Sequence, residues 1–102
     1  MEKRKPTYDL ETIKETFSDA SKLRMTKTAR DNAFALGFSL DDVVAVIHGM
    51  IRAQFIKSMT SHSDHRIWQD VYHVPHESLV LYVKFTIDDE GQLLISFKEV
   101  ES

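Results

Sequence analysis

Residues 79–87 read Leu-Val-Leu-Tyr-Val-Lys-Phe-Thr-Ile, with every odd-numbered position apolar. Successive side chains on a strand point to opposite faces, so this run commits one face of a sheet to a core. It turns Tyr82, Lys84 and Thr86, together with Val80, to the other face. Asp88-Asp89-Glu90-Gly91 follows as a tight hairpin turn. Leu93–Glu99 then repeats the alternation, with Leu93, Ile95 and Phe97 expected on one face and Leu94, Ser96 and Lys98 on the other. Upstream, Phe55–Ser61 and Ile67–Tyr72 are rich in β-branched and aromatic residues and read as two more strands. The polar run Ser61–Arg66 turns between them, and Pro75–Glu77 reads as a break before the strand at 79.

The first half has a different period. Asp9 is placed to cap a helix carrying Leu10, Ile13, Phe17 and Ala20 along one stripe. Ser21–Met25 reads as a short extended link or edge strand. A second helix is expected from about Thr28 to Leu36, with Ala29, Ala33 and Leu36 inward and Gly37 as its stop. Ser39 caps a third, with Asp41 and Asp42 near its positive end and Leu40, Val43, Val44 and Ile47 buried. Helices first and an antiparallel sheet after them give an α+β domain, with the helices on one sheet face. Tyr82, Lys84, Ser96 and Lys98 are then left on the face where a ligand can sit.

Nothing suggests a repeat, a linker or a second unit, so residues 1–102 read as one domain. The absence of cysteine rules out disulfides, thiolate nucleophiles and Cys-based metal sites. The charged opening Met1–Pro6 is unlike a signal peptide, and no apolar run has the length of a membrane span, so a cytoplasmic protein is expected. Formal net charge is −3, which argues against a strong nucleic-acid footprint. That excess is local. Residues 86–102 hold five carboxylates against Lys98 alone, and the rest of the chain is close to neutral, at +1.

Three groupings have chemical potential. His62, Asp64 and His65, with His73 and His76 beyond, resemble metal ligands by type. They fall in a polar turn, however, and no HExxH pattern accompanies them, so they read as solvated histidines. A serine hydrolase finds no G-x-S-x-G frame. The third grouping is Lys57, Gln69 and Tyr82, on three successive predicted strands. Together these side chains can cleave RNA without metal. A 2′-hydroxyl attacks the neighbouring phosphorus, and the protein must take up one proton, offset the added negative charge and protonate the leaving 5′-oxygen. Lysine, amide and phenol cover those tasks. Isolated on strands, the same three types are ordinary surface residues. A non-catalytic module that docks a partner through this sheet face or an exposed strand edge is the alternative.

The segment Phe55–Tyr72 resembles the MqsR toxins, the growth-arresting halves of bacterial toxin–antitoxin pairs. The likeness lies above all in Lys57-Ser58-Met59-Thr60, Ser63-Asp64-His65 and Ile67-Trp68-Gln69-Asp70-Val71-Tyr72. Met1-Glu2-Lys3-Arg4, Leu36-Gly37 and Ser96-Phe97-Lys98-Glu99 extend it across almost the full chain. The resemblance implies a RelE-like α+β fold and cleavage of messenger RNA at GCU-type sites, with no metal or other cofactor. It implies Lys57, Gln69 and Tyr82 as catalytic residues, and Arg66, His73, Lys84 and Lys98 are the accompanying RNA-binding expectation. It further implies an MqsA-like antitoxin with a zinc-stabilised domain and a DNA-binding helix-turn-helix domain. No membrane partner and no direct DNA binding by this chain are expected. Two departures stand out: the chain is slightly acidic, and His73-Val74-Pro75-His76 stands where an arginine-rich turn is expected. Protonation of His73 and His76 is expected to restore charge and strengthen RNA binding at mildly acid pH.

Overall fold

The computed structural model describes residues 1–101. In chain order it has β1 (Glu2–Lys3), α1 (Leu10–Thr16), α2 (Lys27–Ala35), α3 (Leu40–Gly49), β2 (Phe55–Thr60), β3 (Trp68–His76), β4 (Leu79–Asp88) and β5 (Gly91–Glu99). The five strands form one antiparallel sheet in the order β1-β2-β3-β4-β5. The three helices cover one of its faces, which is the expected α+β architecture.

Local chemistry explains the helix ends. The Asp9 carboxylate accepts from the Thr12 amide at the start of α1, and the Thr26 hydroxyl accepts from the Ala29 amide at the start of α2. At α3, Ser39 and Asp42 form a reciprocal capping box. Gly37 closes α2 at φ +89°, a left-handed conformation open to glycine, and the Phe38 amide reaches back to the Ala33 carbonyl at 3.0 Å. From α1, Ile13 and Phe17 enter the core. They meet Ala33, Val43, Ile47 and Met50 of the later helical stretch and Tyr72, Leu81, Val83, Phe85, Leu94 and Phe97 of the sheet.

Several boundaries differ from the sequence reading. α1 stops at Thr16 with Phe17 as its C-cap, and Ala20 opens a separate 3-10 turn capped by Asp19. Of Ser21–Met25, only the end is extended: Met25 lies parallel to β5, with the Leu94 amide donating to the Arg24 carbonyl at 2.9 Å. In α3, Val46 is buried and Leu40 only partly so. β3 runs straight through Pro75 to His76, and the break falls at Glu77 (φ +53°) and Ser78. Pro75 is tolerated because it pairs with Val80, whose carbonyl is engaged by the Val100 amide on the other side of β4. No β2 residue stands opposite His73–His76, so the proline nitrogen faces an open edge where no ladder bond is lost.

The larger correction concerns β5. Lys84 pairs with Ser96 but Phe85 pairs with Leu94, so Ile95 is an inserted bulge residue. The core therefore takes Leu94 and Phe97, and Leu93 and Ile95 are only half-buried. Strict alternation had placed Leu93, Ile95 and Phe97 together. Ser96 and Lys98 still reach the face of Tyr82 and Lys84, because the register is restored beyond the bulge.

One polar contact fixes the N-terminal segment. Asp70 is fully buried on the helix side of β3, where its carboxylate accepts from the amides of Thr7 (2.9 and 3.1 Å) and Tyr8 (2.8 Å). The hydroxyls of Thr7 and Ser58 lie 2.7 Å apart beside it. This staple holds the chain where β1 can pair with β2, Glu2 opposite Met59 and Lys3 opposite Ser58.

Candidate active site on the open sheet face

Register alone assembles the site. On the face away from the helices, Lys57 stands across from Val71, Val71 from Lys84, and Lys84 from Ser96. The next row is His73, Tyr82 and Lys98. On the other side lies Glu2, Met59 and Gln69. Residues directly opposite on neighbouring strands share a face, and strands are spaced about 4.8 Å apart, so Lys57 and Lys98 bracket a patch about 14 Å wide. Val71, fully buried, is its floor.

Lysines surround the Tyr82 ring. Lys98 Nζ is 5.4 Å from its centroid and Lys84 Nζ is 5.9 Å, both within cation–π range. The His73 ring lies 5.8 Å away on the third side. Burial pushes the Tyr82 phenol above its ordinary value of 10, an effect partly opposed by the Lys57 charge. Burial, followed by the charges of Lys98 and Lys57, pushes Lys84 below its ordinary value of 10.5. Lys84 and Lys98 thus flank a half-buried phenol, and the Lys57 charge acts on both Tyr82 and Lys84 from across the face.

The expected site residues separate into groups. Lys57, Gln69, Tyr82, His73, Lys84 and Lys98 all share the open face. Among the described residues, no hydrogen bond joins Lys57, Gln69 and Tyr82 to one another; the three are brought together by register, across β2, β3 and β4. Arg66 stands apart from them, in the β2–β3 turn, where its guanidinium pairs with Asp64 at 3.1 Å. The histidine cluster is also dispersed. His73 faces Tyr82, whereas His76 turns to the helix side and lies against Phe38, with ring centroids 5.0 Å apart and the planes tilted by 55°. Among the described residues, no three His, Asp or Glu side chains gather as metal ligands. Likewise, no helix there is long and apolar enough to cross a membrane.

Glu2 is the residue that the sequence reading missed. Its Oε1 lies 2.9 Å from Lys57 Nζ, and that contact holds the Glu2 carboxyl below the usual carboxylate range. The opening Met1-Glu2-Lys3-Arg4 shows no alternation that marks a strand; only pairing with β2 makes it one.

Comparisons with known proteins place the chain in a family. The family model described as motility quorum-sensing regulator, toxin of MqsA, matches residues 5–99. The chain is also similar to the mRNA interferase toxin MqsR of Escherichia coli (strain K12), 41% identical over 99 residues that cover 97% of this chain and 99% of that relative.

Proposed function

Because this chain belongs to the MqsR toxin family, we propose that it is a metal-independent endoribonuclease cutting messenger RNA at the open sheet face, at Lys57, Gln69 and Tyr82. The observation that carries this reading is the placing of Lys84 and Lys98 against the Tyr82 ring, with Lys57 on the same face two strands away. In a chain with net charge −3, Lys57, Lys84 and Lys98 share the face where a phosphodiester would lie. The helices on the far face leave this face open to a strand of RNA. The architecture agrees with the RelE-like arrangement expected of the family.

In the proposed reaction the ribose 2′-oxygen attacks the adjacent phosphorus and passes its proton to water on the solvent-facing side of the site, and the bond from phosphorus to the 5′-oxygen breaks. The products are a 2′,3′-cyclic phosphate and a 5′-hydroxyl. Lys57, from the β2 side, offsets the charge that grows on the phosphoryl oxygens. Gln69 has both a donor and an acceptor, and orients the phosphate or a base edge. Tyr82, its pKa raised by burial, keeps its proton at neutral pH and gives it to the leaving oxygen. Lys84, Lys98 and His73 hold the flanking phosphates, and Arg66 meets the strand beyond the turn. The preferred cleavage site is GCU-type.

Purified protein on defined single-stranded RNA tests this. Cleavage should persist in EDTA, yield cyclic-phosphate ends and fail when the scissile 2′-hydroxyl is replaced by hydrogen. Lys57→Ala, Gln69→Ala and Tyr82→Phe should each lower kcat by about 10²- to 10⁴-fold. Wild-type cleavage by all three variants would sink the assignment. A cytoplasmic location and a cognate MqsA-like antitoxin, with a zinc-binding domain and a helix-turn-helix domain, belong to the same proposal. Expression should arrest growth unless that partner is co-expressed.

A further inference from the structure

Among the described residues in the rows that hold Lys57, Gln69 and Tyr82, one carboxylate is present, that of Glu2. Its strand, β1, lies at the sheet edge beyond β2, and β4 with Tyr82 lies in the opposite direction. The 2.9 Å pair therefore draws the Lys57 ammonium toward the edge, to the side of β2 away from the phenol. Glu2 is not on a loose tail. The Thr60 amide donates to the Met1 carbonyl at 2.9 Å, and the Asp70 staple fixes the chain again at Thr7 and Tyr8.

We propose that Glu2 competes with the substrate phosphate for Lys57, so that RNA engages this end of the face only by displacing it. The inference rests on the reading of Lys57 as a catalytic residue. Carboxylate and phosphate oxygens are the same kind of acceptor for an ammonium. A phosphate that reached Lys57 with the pair intact would lie against the Glu2 charge. The pair is also weak enough to exchange, since the side chains are 35% and 61% exposed, where solvent screens most of the attraction. Glu2 thus sets the affinity threshold for an anion at Lys57 without touching the scissile bond.

The test compares wild type, Glu2→Gln, Glu2→Ala and Lys57→Ala on one single-stranded RNA oligonucleotide, as kcat and KM against salt concentration. Removing the competitor should lower KM by roughly two- to fivefold, the scale of one exposed ion pair, with the change falling on KM rather than kcat. The salt dependence gives a second readout. In the wild type, a displaced Glu2 takes up a cation and offsets one released from the RNA. Both Glu2 variants should therefore show a log–log salt slope steeper by about 0.7, the value for one phosphate on a single strand. Unchanged KM and slope would overturn the proposal, and so would a fall in kcat at constant KM, which would mean that Glu2 aims Lys57 for the chemical step. Wild-type cleavage by Lys57→Ala would instead refute the underlying site reading, whatever the Glu2 variants do.

Discussion

Two tyrosines on opposite faces of the sheet illustrate how burial acts on the same side chain. Tyr72 is wholly buried on the helix side and its hydroxyl finds no hydrogen-bonding partner among the described residues; burial pushes its pKa up to about 12. An unpaired buried hydroxyl costs about 1–3 kcal/mol, so Tyr72→Phe should raise stability by about 1 kcal/mol. Urea unfolding measures this, and a loss of stability would show that the hydroxyl is satisfied. Tyr82, half-buried among cations, should respond in the opposite way: Tyr82→Phe leaves the urea midpoint nearly unchanged and removes cleavage. Tyr82 was legible in the sequence because the alternation of 79–87 assigns its face without knowledge of its neighbours. The Glu2–Lys57 pair was not, because 55 residues separate the partners and only strand register joins them.

At the level of elements, period-based reading worked where one face is buried regularly and failed where a strand or helix is interrupted. The caps at Asp9 and Ser39 and the stop at Gly37 are local side-chain and backbone chemistry, and were readable. The bulge at Ile95 was not, since an inserted residue resets the alternation without changing composition. Pro75 misled for a related reason: a proline breaks a paired strand but not an unpaired edge. Asp70 looked like part of a motif and serves as a staple. Asp70→Ala removes three charge-assisted amide contacts and should cost about 3 kcal/mol. Hydrogen exchange should then show the Thr7 and Tyr8 amides losing protection before the core of β3 and β4. Protection equal to wild type at those amides would mean that β1 is held by its pairing with β2 alone.

Across the whole molecule, charge is sorted by place. The acidic stretch that gives the chain its net charge lies largely in the β4–β5 turn, where Arg24 grips Asp88 through its two terminal guanidinium nitrogens (2.9 and 2.7 Å) and joins the helical half to the far end of the sheet. Arg24 holds the Asp88 carboxyl at about 2, against an ordinary 3.8. A carboxyl lowered by folding stabilises the native state above its unfolded value and loses that contribution as pH falls through the folded one. Stability should therefore drop between about pH 4 and pH 2, and by less in Asp88→Asn; equal losses in urea midpoints across that range would exclude the pair as a cause. Lys57, Lys84 and Lys98 stand on β2, β4 and β5 of a sheet whose strand order in space follows the order in the chain. On the proposed function, a ribosome making this protein must translate β5 before the face that meets RNA is whole. Until Lys98 is added, the nascent chain lacks part of the grip proposed for the message that encodes it.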